Sequence, residues 1–285
     1  MLRIDHVTFA YGRRSKPVLS DFTLGIDAGR IYGLLGKNGT GKSTLLGLMC
    51  GLLFPQRGSV SFDGVSVGAR QPQTLEDIFL VPEEFELPNL TIRRYVALRA
   101  PFYPRFSERV MQECLADFGL TDTMRLASLS MGQKKKALVS FALAARTRLL
   151  LMDEPTNGLD IPSKSLFRKV VSRQMDDDRA IVISTHQVAD VEMLIDHVLL
   201  VEGSRLLLDR SAADICAALR FEERTMGQPL DDALYVQPSM GGHSVIVPND
   251  RGGDETPLNL EMLFNCAEAG KLPAALTDTA QHTQP

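Results

Sequence analysis

The sequence predicts an α/β fold, on three observations. Two short runs, "RLLLMDEP" (148–155) and "AIVISTH" (180–186), are apolar along their length rather than alternating, as strands covered on both faces of a parallel sheet are. A helical stretch starting near Pro162 separates them, and parallel strands need such a crossover. A third apolar run, "RIYGLLG" (30–36), enters the glycine-rich loop "GKNGTGKST" (36–44) and then a helix, "STLLGLMCGLL".

Taken in order, "LRIDHVTFAY" (2–11) and "VLSDFTLGID" (18–27) alternate with partial period two, and "GSVSFDGVSV" (58–67) has strand–turn character. An N-terminal antiparallel β layer is therefore expected. From about 85 to 146 the texture changes. "TIRRYVALRAPFYPRFSERVMQECLADFGL" is amphipathic with helical spacing and breaks near Pro101 and Pro104, where the ring removes an amide donor and crowds the preceding turn. That stretch is expected to be a helical insertion. "HVLLVEGSRLLLD" (197–209) reads as a hairpin about Gly203 and Ser204. After about 211 a helical stretch, a short strand "SVIVP", a polar loop "NDRGGDET" and a helix "NLEMLFNCAEAG" predict a small C-terminal α/β appendage. The expected division is thus 1–210 for the core with its insertion at about 85–146, and 211–285 for the appendage, with no internal repeat.

Composition narrows the class. The 285 residues are 44% hydrophobic and 23% charged, an ordinary globular balance. A formal net charge of −4 argues against a nucleic-acid partner, which a basic excess would favour. The four cysteines are scattered without a C-x-x-C pair, so buried free thiols are expected. No apolar run approaches the roughly 18 residues of a membrane span, and the N-terminus lacks a long apolar leader segment. The expectation is a protein that stays inside the cell and meets a membrane only through a partner.

"GKNGTGKST" carries the first chemistry. It fits G-x-x-x-x-G-K-[ST] between a strand and a helix, where Gly36, Gly39 and Gly41 let the loop wrap phosphates with Lys37, Asn38 and Thr40 between them. Lys42 can reach the β- and γ-phosphates, and the Ser43 hydroxyl, beside Thr44, can ligate Mg²⁺. This makes the core a phosphate-loop (P-loop) NTPase. In "LLLMDEP", Asp153 and Glu154 follow a buried strand, at the sheet edge where ligands of open α/β sheets bind. Asp153 can hold Mg²⁺ through water, and Glu154 can polarise an attacking water as general base. His186 ends another such strand, where a donor could contact the γ-phosphate; His6, His197, His243 and His282 are read as structural. Tyr11 follows the first strand, either as an ordinary strand-end aromatic or as a ring stacked on adenine. A second anion-facing helix start occurs in "SLSMGQKKKAL" (128–138), where Ser130, Gly132 and Gln133 suit close approach to a phosphate.

Together, "GKNGTGKST", "LSMGQ", "LLLMDEP", "TNGLD" and "STH", in this order over residues 1–210, resemble the ATP-binding cassette (ABC) ATPases, the nucleotide-binding subunits of ABC transporters. The resemblance implies adenine stacking for Tyr11, phosphate and Mg²⁺ contacts for Lys42, Ser43 and Thr44, Mg²⁺ for Asp153, base catalysis for Glu154, and a γ-phosphate switch for His186. It implies a contact between subunits for Asp160 of "TNGLD". It also explains the second helix start: two cassettes pair head to tail, so Ser130, Gly132 and Gln133 face the partner's ATP. Two departures stand out. Where the family usually has glutamine, "FLVPEEF" offers Glu83, or Glu84 if the alignment slips by one, so a carboxylate joins the Mg²⁺ site. Met131 replaces a common glycine in the signature and is expected to point aside.

The function so implied is the ATPase subunit of a transporter, an exporter in preference, with a separate integral membrane subunit and a second ATPase subunit as partners. Its place is the cytoplasm, peripheral on the inner face of the membrane. The alternative is a soluble ABC-type ATPase powering protein assembly or envelope signalling. The runs "KKK" (134–136) and "DDD" (176–178) are read as a solvated helix face and a polar loop.

Overall fold

The computed structural model describes residues 1–12, 14–249 and 256–277; most of the expected polar loop at 249–256, and His282, lie outside these described residues. The N-terminal strands β1 (Leu2–Phe9) and β2 (Leu19–Ile26) pair antiparallel. The chain then forms β3 (Arg30–Leu35), the phosphate loop and helix α1 (Lys42–Met49), and returns through β4 (Arg57–Phe62) and β5 (Val65–Ser66). Those two strands complete a four-stranded antiparallel sheet in the order β2-β1-β4-β5.

The central sheet is assembled from distant segments. After the short helix α2 (Pro72–Leu75), strand β6 (Ile78–Val81) becomes its edge. Helices α3 (Ile92–Arg99), α4 (Glu108–Asp117) and α5 (Met131–Ala144) follow, then β7 (Leu149–Asp153), α6 (Ile161–Arg173), β8 (Ala180–Thr185), β9 (His197–Glu202) and β10 (Arg205–Ser211). The six strands lie in the order β10-β9-β3-β8-β7-β6, all parallel except the last-added hairpin strand β10.

Alternation within these strands builds two cores. Leu149, Leu151 and Val182 point to the side of α1 and the antiparallel sheet, while Leu150, Met152, Ile181 and Ile183 point to the helical side. Both faces are dry, so the strand sequences carry no polar alternation. On the helical side Phe141 of α5 collects Phe79, Tyr95, Tyr103 and Phe106 at ring-centroid separations of 5.4–5.8 Å. That cluster seats α5 against β6 and α4.

The appendage is more sheet-like than its sequence predicts. Helix α7 (Ala212–Ala218) leads into β11 (Leu219–Thr225), β12 (Tyr235–Ser239) and β13 (Gly242–Pro248), an antiparallel sheet in the order β11-β13-β12. Only the "SVIVP" strand was legible, because β11 reads "LRFEERT" and β12 "YVQPS", whose polar residues hide a half-exposed sheet. Helices α8 (Leu260–Glu268) and α9 (Ala274–Thr277) close the described chain. Burial pushes the thiols of Cys114 and Cys266 up to about 11, which leaves them inert at neutral pH.

Candidate nucleotide site

Parallel register places the site. Leu35 pairs with Thr185, Asp153 with Ser184 and Val81 with Met152, so four strands end along one edge of the sheet. The phosphate loop, Asp153–Glu154, His186 and the Glu83 segment emerge there side by side. Tyr11, Lys42, Ser43, Glu83, Asp153 and Glu154 all line one open cleft of about 310 Å³.

The loop owes its shape to glycine. Gly39 and Gly41 adopt φ of +83° and +100°, where a Cβ is strained, and a Cβ on Gly41 would also meet Val18 at 2.8 Å. Gly41 then opens α1. Thr40 braces the turn by donating to the Lys37 carbonyl at 2.9 Å. Lys42 folds back, donating to the carbonyls of Gly36 at 2.7 Å and Lys37 at 3.1 Å. Burial pushes its ammonium below the usual lysine range, while Glu154, Asp153 and Glu83 pull the other way. The negative charge of a phosphate chain would offset that desolvation. Asn38, Gly39 and Thr44 line the same cleft, and the hydroxyl of Tyr11, a residue 68% exposed, lies 2.9 Å from Thr44 Oγ1.

Glu154 is only 4% exposed, and the donors to its carboxylate come from the last residue of β8 and the one after it. Oε1 accepts the His186 backbone N–H at 3.0 Å and sits 2.7 Å from His186 Nδ1, while Oε2 accepts from Thr185 Oγ1 at 3.0 Å. Its backbone has a φ of +45°. A non-glycine residue there carries strain of about 1–3 kcal/mol, which persists only where the surroundings enforce it. Asp153, one residue earlier, accepts the Ser184 hydroxyl. Glu83 accepts from Asn157 Nδ2 at 2.9 Å and faces the cleft, whereas Glu84 lines only a neighbouring groove.

The donor set suits Mg²⁺. The Ser43 hydroxyl and the carboxylates of Asp153 and Glu83 are hard oxygen ligands in one cleft. Among the described residues no group of three or more His, Cys, Asp or Glu could hold a metal alone. Ser43, Asp153 and Glu83 could supply only part of the coordination sphere of a cation that keeps water and shares phosphate oxygens.

The signature lies elsewhere. None of residues 130–133 lines the cleft. Ser130 caps α5 in a capping box: its Oγ accepts from the Gln133 N–H at 3.3 Å, and Gln133 Oε1 accepts from the Ser130 N–H at 3.0 Å. The cap uses a Ser130 lone pair and leaves its O–H free to donate. A Cβ on Gly132 would meet the Gly158 carbonyl at 3.3 Å. Met131 is exposed and lines a groove of about 690 Å³ that Glu84, Phe85 and Glu86 share. Asp160, exposed, caps α6 by accepting from the Ser163 N–H at 3.0 Å.

One expectation is corrected. The "KKK" run is not a uniformly solvated face: Lys135 is buried and donates to the carbonyls of Glu154 and Asn157. The signal was the helical phase, since Lys135 shares its stripe with Leu138, Val139 and Ala142 at i+3, i+4 and i+7. Asn157 and Gln187 were also missed; Gln187 Nε2 donates to Asn157 Oδ1 at 3.1 Å, in contacts between segments that no local pattern reveals. His197 is buried between Arg30 and Asp209, and His6 pairs at the surface with Asp21.

Comparison with known proteins identifies the family. Residues 19–157 match the family described as ABC transporter. The bacitracin transport ATP-binding protein BcrA of Bacillus licheniformis is 30% identical over 214 residues, which cover 73% of this chain and 68% of BcrA. The ABC transporter ATP-binding protein YtrB of Bacillus subtilis (strain 168) is 31% identical over 191 residues, covering 66% of this chain and 65% of YtrB, just under two thirds of that relative. A solved structure titled as that of an ATP binding subunit of an ABC transporter superposes with a TM-score of 0.69 at 27% identity, over 75% of this chain and 91% of that one. The chain belongs to the ABC transporter ATP-binding protein family, as an ATP-binding subunit.

Proposed function

We propose that this chain drives export through a separate integral membrane subunit, working as one half of a head-to-tail pair of ATPase subunits. Relatives are named for bacitracin transport, Nod factor export and lantibiotic transport, which supports an exporter. No helix among the described residues is long and apolar enough to cross a membrane. The membrane path would belong to the partner, with this chain held through it on the cytoplasmic face. Residues 1–210 would form the ATPase domain, with its helical part at about 85–146, and 211–285 an appendage.

The observation that carries the pairing is the separation of the two phosphate-facing elements. Lys42, Ser43, Asp153 and Glu154 line one cleft, while Ser130, Gly132 and Gln133 open a helix outside it. A second chain would bring its signature to this cleft, and Asp160 would lie at the contact. Within a site, Tyr11 would stack on adenine, and the amides of residues 36–41 with Lys42 would hold the phosphates. Ser43, Asp153 and Glu83 would hold Mg²⁺, which would supply charge neutralisation of the phosphate oxygens. Glu154 would accept the proton of the attacking water. With Glu154 ionised, Nδ1–H of His186 donates to it, and contact of Nε2 with the γ-phosphate oxygens would then need the imidazolium, which carries an N–H on both ring nitrogens.

Purification from detergent extracts tests the transport assignment. An integral membrane protein should co-purify in fixed ratio and stimulate ATP turnover when reconstituted. Recovery with soluble partners alone, and turnover indifferent to membrane fractions, would favour the soluble ABC-type ATPase.

A further inference from the structure

The signature helix is fastened to the residue that carries the buried carboxylate. Lys135 sits on the apolar face of α5 and is only 3% exposed. Its Nζ donates to the backbone carbonyls of Glu154 and Asn157, each at 3.0 Å. A buried ammonium is a poor choice for stability, because desolvation opposes it and an apolar side chain would fill the same space. Here burial pushes its pKa down while Glu83, Glu154 and Asp153 act through space to hold the charge.

What the ammonium grips is informative. Glu154 carries the left-handed φ of +45°, a conformation that its surroundings must impose. Asn157, the other acceptor, donates through Nδ2 to Glu83 and accepts through Oδ1 from Gln187, the residue after His186. One charged group therefore pins both ends of the 154–157 turn, and that turn is bonded to two further segments, at Glu83 and at residues 185–187.

We propose that Lys135 is a positioning residue for hydrolysis: by clamping the Glu154 and Asn157 carbonyls it holds the Glu154 carboxylate in its working orientation and ties the signature helix to the catalytic geometry of its own chain. The proposal rests on Glu154 as the general base. Lys135 touches neither nucleotide nor water in this scheme and acts only through that carboxylate. Its loss should therefore appear in the chemical step and not in ATP affinity.

The test is steady-state ATP hydrolysis by the full-length protein carrying Lys135→Met, Lys135→Gln, Glu154→Gln, or Lys135→Met with Glu154→Gln. Lys134→Met, one position along on a half-buried face, is the control and should match the parent. Lys135→Met should lower kcat about 10- to 100-fold, the scale of a small misplacement of a catalytic group, with KM for ATP within about two-fold. Lys135→Gln, one atom shorter, can reach one carbonyl and should fall between. The double variant should be no slower than Glu154→Gln alone. A parental kcat in Lys135→Met, a matched rise in KM, or losses that multiply in the double variant would each overturn the clamp. If Lys135→Met does not fold, Lys135→Gln carries the same comparisons. Near-normal turnover by Glu154→Gln is a separate result: with Lys135 intact, it removes the base itself and the proposal with it.

Discussion

His186 and Glu154 form one unit: a single carboxylate oxygen of Glu154 meets both the backbone N–H and the Nδ1 of His186, at 3.0 and 2.7 Å. Glu154→Gln keeps the size and can still accept the backbone N–H, but it cannot take a proton. Hydrolysis should fall roughly 10²- to 10⁴-fold while ATP still binds, so the variant should accumulate as an ATP-held dimer. Single-turnover hydrolysis beside size-exclusion chromatography with ATP measures both; turnover near the parental rate would move the base elsewhere.

Glu83 should report on the metal. It lines the cleft with Ser43 and Asp153, while Glu84 does not. Glu83→Gln is expected to retain activity with a shifted Mg²⁺ dependence, and Glu83→Ala to impair activity more than Glu84→Ala. Activity titrated against Mg²⁺ for the three variants decides. Equal, small effects would detach Glu83 from the metal.

The trans role of the signature predicts complementation. Lys42→Ala removes the phosphate-loop cation, and Gly132→Asp sets a carboxylate against incoming phosphate. Each homodimer should be inactive, since both of its composite sites hold a broken half. A mixed dimer joins an intact loop to an intact signature and should regain single-turnover hydrolysis. A mixed dimer proven to form, yet no more active than either parent, would show the signature acting on its own chain's nucleotide.

Lys37 of the phosphate loop pairs with Glu268 of α8 at 3.0 Å. The lysine is exposed, so the pair contributes at most about 1 kcal/mol and little to melting temperature. Its carboxylate nevertheless faces a loop that receives polyanionic ATP. Glu268→Gln should lower KM for ATP by at most about five-fold at low ionic strength, an effect that about 1 M salt removes by screening. An unchanged KM at low salt would show that the appendage has no electrostatic hold on the loop.

The sequence by itself determined the parts whose cause is local. A loop that wraps phosphate needs glycine at positive φ, so "GKNGTGKST" announces itself, and strands buried on both faces must read as apolar runs with their acids just beyond. Helix capping is local too, and "SLSMGQ" carried Ser130 and Gln133 to the start of α5. Only the tertiary structure decided that Lys135 turns inward beneath Glu154, that Asn157 links Glu83 to Gln187, and that β11 and β12 flank β13. It alone joined Glu268 to Lys37, 231 positions apart in the numbering. Each of these is a meeting of polar groups from separate segments. Hydrophobic periodicity records which face of an element is buried, but the partner that satisfies a buried polar group is chosen by the packing of the whole chain.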